Sequence, residues 1–127
     1  MNLVDLVAIL ALLQFFAFAL CVGRAREKYG VKAPAISGNE MFERAFRVQM
    51  NTLELLVLFL PALYLGAKYW SPVYVAVAGA VYIVGRIVYW RAYMAAPQTR
   101  TLGFALSIGP CLVLLVAAIV GIIRSVA

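Results

Sequence analysis

Arg44, Arg47, Asn51 and Glu54 lie in the stretch FERAFRVQMNTLE, Phe42 to Glu54, spaced 3, 4 and 3 residues apart. On a helix turning about 100° per residue they form one stripe, with Glu54 about 15 Å further along the axis than Arg44. Tyr82, Arg86, Tyr89 and Tyr93 are spaced 4, 3 and 4 apart and form a second stripe. Guanidinium forks bind carboxylates bidentately. A carboxylate such as Glu54 can receive an ammonium group, and tyrosines bridge apolar and polar zones. The combined set suits a small zwitterionic ligand with more than one carboxylate. Both stripes are set in apolar sequence. Charge at membrane depth is expensive, so such residues face a protein interior or a wet cavity and mark a functional site.

The composition explains why the surroundings are a membrane. The chain has 127 residues, 66% of them hydrophobic, and a mean hydropathy of +0.99. A soluble domain is about half apolar. The length allows one domain, residues 1–127, and no separate soluble module. The net charge of +6 comes from basic residues gathered at the ends of apolar runs. That is the distribution of a membrane protein and not of a nucleic-acid face, so no nucleic-acid partner is expected. There is no histidine. Ser-His-Asp and Cys-His catalysis, histidine metal sites and the usual proton shuttle are therefore excluded, and no metal is expected. Cys21 and Cys111 stand 90 residues apart in apolar runs, without ligand spacing, and read as buried inert thiols.

Four helices must position the two stripes, at about 3–22, 42–68, 73–94 and 102–123. The fold class is thus an all-α membrane protein, a four-transmembrane-helix bundle. Leu3 to Val22 is long enough to cross the roughly 30 Å hydrocarbon layer. The segment lacks the basic start of a signal peptide and is read as a retained helix. Gln14, at its middle, is expected to hydrogen-bond a neighbouring helix. Gly23 to Met41 reads as a loop, with Gly30, Pro34 and Gly38 as breakers. The second helix carries the first stripe, then an apolar half with Pro61, which should bend it. Ser71-Pro72 reads as an N-cap and first helical position. Ala76, Gly79 and Ala80 should permit close packing of the third helix. The fourth helix carries no charge before Arg124, contains Pro110, and reads as a packing or lipid-facing wall.

The charge distribution sets an orientation. Arg24, Arg26, Lys28, Lys32 and Arg100 lie in the first and third connections, whereas Lys68 and Arg124 are alone at the opposite end. The positive-inside rule then puts both termini on the outer side and both stripes in the inner half of the membrane. A purely structural use of some of these residues competes with ligand binding. Arg44 and Arg91 can anchor helices at the interface. Arg47 with Glu54, or Glu54 with Arg86, can form a buried ion pair that only locks packing.

The two stripes and their flanks resemble a known family, the membrane-associated proteins in eicosanoid and glutathione metabolism (MAPEG). It includes microsomal glutathione transferases, leukotriene C4 synthase and the lipoxygenase-activating protein. FERAFRVQMNTLE resembles the family's FERxxRxQxNxxE signature, and GRIVYWRAYMAAPQTR resembles its RxxYxxxYxxxxxxR pattern. The similarity covers residues from about 20 to 105. It implies a homotrimer that binds glutathione, as co-substrate, between adjacent subunits near the cytoplasmic side. By this resemblance Arg47, Gln49, Asn51 and Glu54 would hold the tripeptide, Arg26 would join from the first helix, and Arg86, Tyr89 and Tyr93 would complete the site. Arg100 would be catalytic, holding the thiol as thiolate for attack on a hydrophobic electrophile or hydroperoxide that arrives through the bilayer. Leu55 stands where some members have a tyrosine, and Glu27 where the synthase has a second consecutive arginine. Both departures argue against a leukotriene synthase. The short sequence beyond the fourth helix suggests a bacterial-type member in the inner membrane, its site toward the cytoplasm.

Two other functions fit the hydropathy. A non-catalytic lipid-binding scaffold of the same fold is opposed by the retention of Arg100 with the polar set of the second helix. A small multidrug exporter would use a membrane carboxylate for proton-coupled export. The first helix lacks the expected glutamate, and an arginine-rich lining would repel cationic drugs.

Overall fold

A computed structural model describes residues 1–127. Four long helices run antiparallel: α1 (Asn2–Tyr29), α2 (Glu40–Tyr69), α3 (Pro72–Ala95) and α4 (Thr101–Val126). A 3-10 turn, Pro97–Thr99, joins α3 to α4. Each helix is long and apolar enough to cross a membrane. Both termini and the α2–α3 connection share one end. The α1–α2 and α3–α4 connections share the other, here termed the loop end.

The helices extend beyond the apolar runs. α1 continues through Gly23 to Tyr29, so Arg26 is on a helix and not in a loop. One internal glycine costs about 1 kcal/mol relative to alanine, and the helix formers Arg24 to Lys28 that follow sustain the ladder. Gly30 is the effective stop. It adopts the left-handed conformation, φ 69°, and its N–H bonds the Arg26 carbonyl. α2 begins at Glu40 because Asn39 caps it, its side chain accepting from the Phe42 N–H at 3.0 Å. Ser71 occupies the N-cap of α3 with Pro72 behind it, but its hydroxyl makes no capping bond. α2 and α4 run uninterrupted through Pro61 and Pro110.

The main core lies in the half of the bundle away from the loop end. Val4, Ala11, Leu56, Phe59, Leu63, Tyr82, Cys111 and Leu114 join all four helices in one buried cluster. Outward-facing residues are apolar as well, Val57 and Tyr74 among them. Lipid tails therefore compete on equal terms for apolar contact, and close packing becomes the main source of helix affinity. Glycines supply it. A Cβ on Gly79 would sit 2.5 Å from the Val7 side chain, and one on Gly85 2.6 Å from the Leu106 backbone. A Cβ on Gly103 would sit 2.3 Å from the Tyr89 nitrogen. α4 is thus a close partner of α3 and more than a wall. Ala76 is buried as expected, whereas Ala80 faces outward. Gln14 does bridge helices, Nε2 donating to the Ile83 carbonyl at 3.0 Å.

Candidate functional site

The α2 stripe splits when it meets its neighbours. Arg47 and Glu54 are seven residues apart and so differ by only about 20° around the axis, whereas Asn51 turns about 50° toward the bundle. Asn51 is accordingly buried, while the side chains of Arg47 and Glu54 remain 51% and 58% exposed. These two face each other across 3.5 Å on the outside of the bundle. They are an open pair and not a buried lock. Arg44 takes a third direction. Its guanidinium donates to the Met94 and Ala95 carbonyls at 2.9 and 3.2 Å and pairs with Glu40. It clamps the free carbonyls at the end of α3, a structural use.

The α3 stripe faces inward. Arg86 has no exposed surface. Its Nη1 donates to Asn51 Oδ1 at 2.8 Å, and its guanidinium lies 4.2 Å from the centre of the Tyr89 ring. Glu54 is not its partner. Tyr89 is buried and stacks on half-buried Tyr93, ring centres 5.5 Å apart. Gly103 of α4 presses on the backbone of Tyr89 from behind. Arg86 and Tyr89, expected to line a ligand site, are therefore enclosed. Their contacts toward the open side of the bundle are Asn51 and Tyr93. Arg86 Nε and Nη2 and the Tyr82 hydroxyl have no partner. Three N–H donors of this buried cation thus have no hydrogen-bond partner within one copy of the chain, and the face of the Tyr89 ring offsets part of the cost.

At the loop end an open groove of about 370 Å³ runs between α2 and the α3–α4 turn. Arg44, Arg47, Tyr93, Glu40 and Glu43 line it, with Pro97 at one edge. Glu40 and Glu43 are site-lining groups that the spacing argument missed. The pair of acids just after a capping asparagine, Asn39-Glu40-Met41-Phe42-Glu43, was the available signal. Glu43 also accepts from the Gly38 N–H at 3.2 Å, tying the first connection to the groove. The groove offers both signs of charge to a zwitterion.

The remaining candidates stand apart. Arg100 is exposed beyond Pro97, donating to the Pro97 carbonyl at 3.0 Å. It is also the N-cap residue of α4. Its charge and the free N–H groups of the first α4 turn create one positive locus. Gln49 is half-buried on α2. Arg26 donates to the Ala35 carbonyl at 2.7 Å and lies 4.7 Å over the Phe42 ring. It makes no hydrogen bond to the Arg86 cluster. A single copy of the chain thus brings together Asn51, Arg86, Tyr89 and Tyr93, sets Arg47 and Glu54 beside them, and leaves Arg26 elsewhere.

Sequence comparison decides the family. The MAPEG family model matches residues 4–120. The chain belongs to the MAPEG family. Among MAPEG relatives, an uncharacterized Synechocystis protein is 47% identical over 93% of this chain and 86% of its own length. Human microsomal glutathione S-transferase 2 is 40% identical over 94% of this chain and 81% of its own. Guinea-pig (Cavia porcellus) leukotriene C4 synthase is 35% identical, over 74% of this chain and 63% of its own length. The four apolar helices and the MAPEG match together make the chain a multi-pass membrane protein.

Proposed function

We propose that the chain is a membrane-embedded glutathione transferase that binds glutathione at the loop end and activates it as a thiolate. The observation that carries this reading is an excess of under-partnered guanidinium there. Arg86 lies on the Tyr89 ring, Arg47 shares the groove with Tyr93 and pairs with Glu54, and Arg100 is exposed on the adjoining turn without a carboxylate partner. Glutathione has two carboxylates, an ammonium and a thiol, and is complementary to that set. The relatives named as glutathione S-transferase support the same ligand.

In this reading Arg47 and Asn51 hold carboxylate and amide groups, Glu54 receives the ammonium, and Tyr93 covers the backbone of the tripeptide. Arg86 and Tyr89 position Asn51 and Tyr93 from behind. Arg100 lies at the sulfur. A free thiol has a pKa of about 8.5 and only its thiolate attacks well. The guanidinium, reinforced by the α4 N-terminus, favours the charged form. The thiol proton leaves to water, and the sulfur then forms a C–S bond to the electrophilic carbon of a lipophilic substrate as that carbon's bond to its leaving group or epoxide oxygen breaks, the departing anion taking a proton from water. Attack on a hydroperoxide would instead break its O–O bond, releasing an alcohol and leaving a glutathione sulfenic acid, which a second glutathione converts to the disulfide with loss of water. Arg47 and Glu54, half-exposed within a membrane-spanning helix, require cover other than lipid. A neighbouring copy supplies it in a homotrimer, and brings Arg26 and Gln49 to the ligand. The site faces the cytoplasm across a bacterial inner membrane.

Arg100→Ala tests the assignment. Turnover at neutral pH should be lost while calorimetry still registers glutathione binding. If binding disappears along with turnover, Arg100 holds the ligand and does not tune its sulfur.

A further inference from the structure

The end of the bundle opposite the groove carries two basic side chains, Lys68 and Arg124, 56 residues apart in sequence. They close the last turns of α2 and α4. Both line a single polar pocket of about 330 Å³, together with Tyr69, Gly121 and Ser125. Neither has a carboxylate partner: the ion pairs are Arg44–Glu40 and Arg47–Glu54. Asp5, the one acid at this end, accepts from the Tyr64 hydroxyl at 2.8 Å instead.

The walls of the pocket are built. A Cβ on Gly121 would sit 2.4 Å from that of Tyr69, so only glycine lets α4 close there. Trp70 Nε1 donates to the Ala117 carbonyl at 2.6 Å and fixes the indole against α4. The Arg124 guanidinium lies 5.2 Å over that indole, and the Lys68 ammonium 5.7 Å over the Tyr69 ring. Trp70 also lines an apolar cavity of about 190 Å³, shared with Tyr74, Ala78, Val113 and Ala117. Val113, Ala117, Gly121 and Arg124 are spaced 4, 4 and 3 apart and form one stripe of α4. Val113 and Ala117 of the apolar cavity thus stand one to three turns before Gly121 and Arg124 of the cationic pocket along α4, and Trp70 adjoins both, lining the first and lying under Arg124.

Cations at helix C-termini complement the macrodipole. That accounts for their sign, but not for their convergence on one pocket or for the adjoining apolar cavity. A ligand that satisfies both has a negative head and an apolar chain. We propose that this end of the bundle binds an anionic phospholipid. Its phosphate lies between Lys68 and Arg124, and an acyl chain runs along Trp70, Tyr74 and Ala117. The site is separate from the glutathione reading and does not depend on it.

Trp70 and Trp90 are the two tryptophans, so Trp90→Phe leaves Trp70 as the reporter. The protein is placed in phosphatidylcholine vesicles in which a minor fraction of lipid is brominated phosphatidylglycerol or, in parallel, brominated phosphatidylcholine. Trp70 should be quenched preferentially by the glycerol lipid. At about fivefold per cation, the preference should be roughly 25-fold. The double variant Lys68→Gln/Arg124→Gln should remove it. Native mass spectrometry of the wild-type protein with equal amounts of the two lipids gives the same comparison without the Trp90 change. Equal quenching by both lipids, or a preference that survives the double variant, would overturn the proposal. So would loss of the preference on adding inorganic phosphate, which would mean a site for free anions.

Discussion

Asn51 and Arg100 bear the most directly testable roles of single residues. Asn51 supplies the one hydrogen bond that Arg86 makes to another side chain. Asn51→Ala should leave that guanidinium with no polar partner and cost about 1–3 kcal/mol. Thermal unfolding in detergent checks this, and Asn51→Asp should keep more of the stability because it restores an acceptor. Arg100 predicts a pH effect with a definite sign. A cation beside a thiol favours the thiolate, so the bound thiol ionises below its usual range and turnover persists to lower pH. In Arg100→Ala the rise of rate with pH should move upward by about 1–3 units. An unmoved profile would place Arg100 away from the sulfur. The charged residues themselves were legible because guanidinium within an apolar run has few innocent explanations. Their partners were not. Helical spacing puts Arg44, Arg47, Asn51 and Glu54 on one stripe, but a stripe about 80° wide straddles the edge of the buried face. Only the neighbouring helices decide that Asn51 turns in, Arg47 turns out and Arg44 reaches the end of α3.

Helices were legible as apolar runs, and their ends less so. Hydropathy falls at Gly23, where the apolar run ends, while α1 continues for two further, charged turns. Propensity and the Gly30 stop govern that extension. The contrast between glycines follows. A Cβ on Gly23 meets nothing within 4 Å, so Gly23→Ala should stabilise α1 by up to about 1 kcal/mol. Gly103→Ala should do the opposite, because its Cβ meets the Tyr89 backbone. Moving Tyr89 also moves Tyr93, so glutathione affinity should fall together with the melting temperature. Parallel melting curves and binding isotherms of the two variants separate these outcomes. The close packing of α3 on α4 was hidden in the sequence. Gly85 and Gly103 sit on different helices, and no spacing within either helix shows that Gly85 meets the backbone of Leu106 and Gly103 that of Tyr89.

Across the whole molecule, the proposed homotrimer accounts for the distribution of polar groups. Arg47 and Glu54 are half-exposed within an apolar bundle, and Arg26 lies apart from the residues it is expected to assist. A homotrimer should be visible as a threefold mass in native mass spectrometry from mild detergent, and Arg47→Ala/Glu54→Ala should weaken it. Spacing within one chain carries no information about which faces meet between chains, so this part rests on the family pattern and on exposed charge. The central claim is that the loop end binds glutathione and ionises it. The most direct measurement is the ultraviolet difference spectrum on adding glutathione to purified protein at neutral pH, since it requires no knowledge of the electrophile. A thiolate band that vanishes in Arg100→Ala is the expected result. No band, with glutathione also failing to raise the melting temperature, would contradict it and leave the buried arginine and its tyrosines as packing alone.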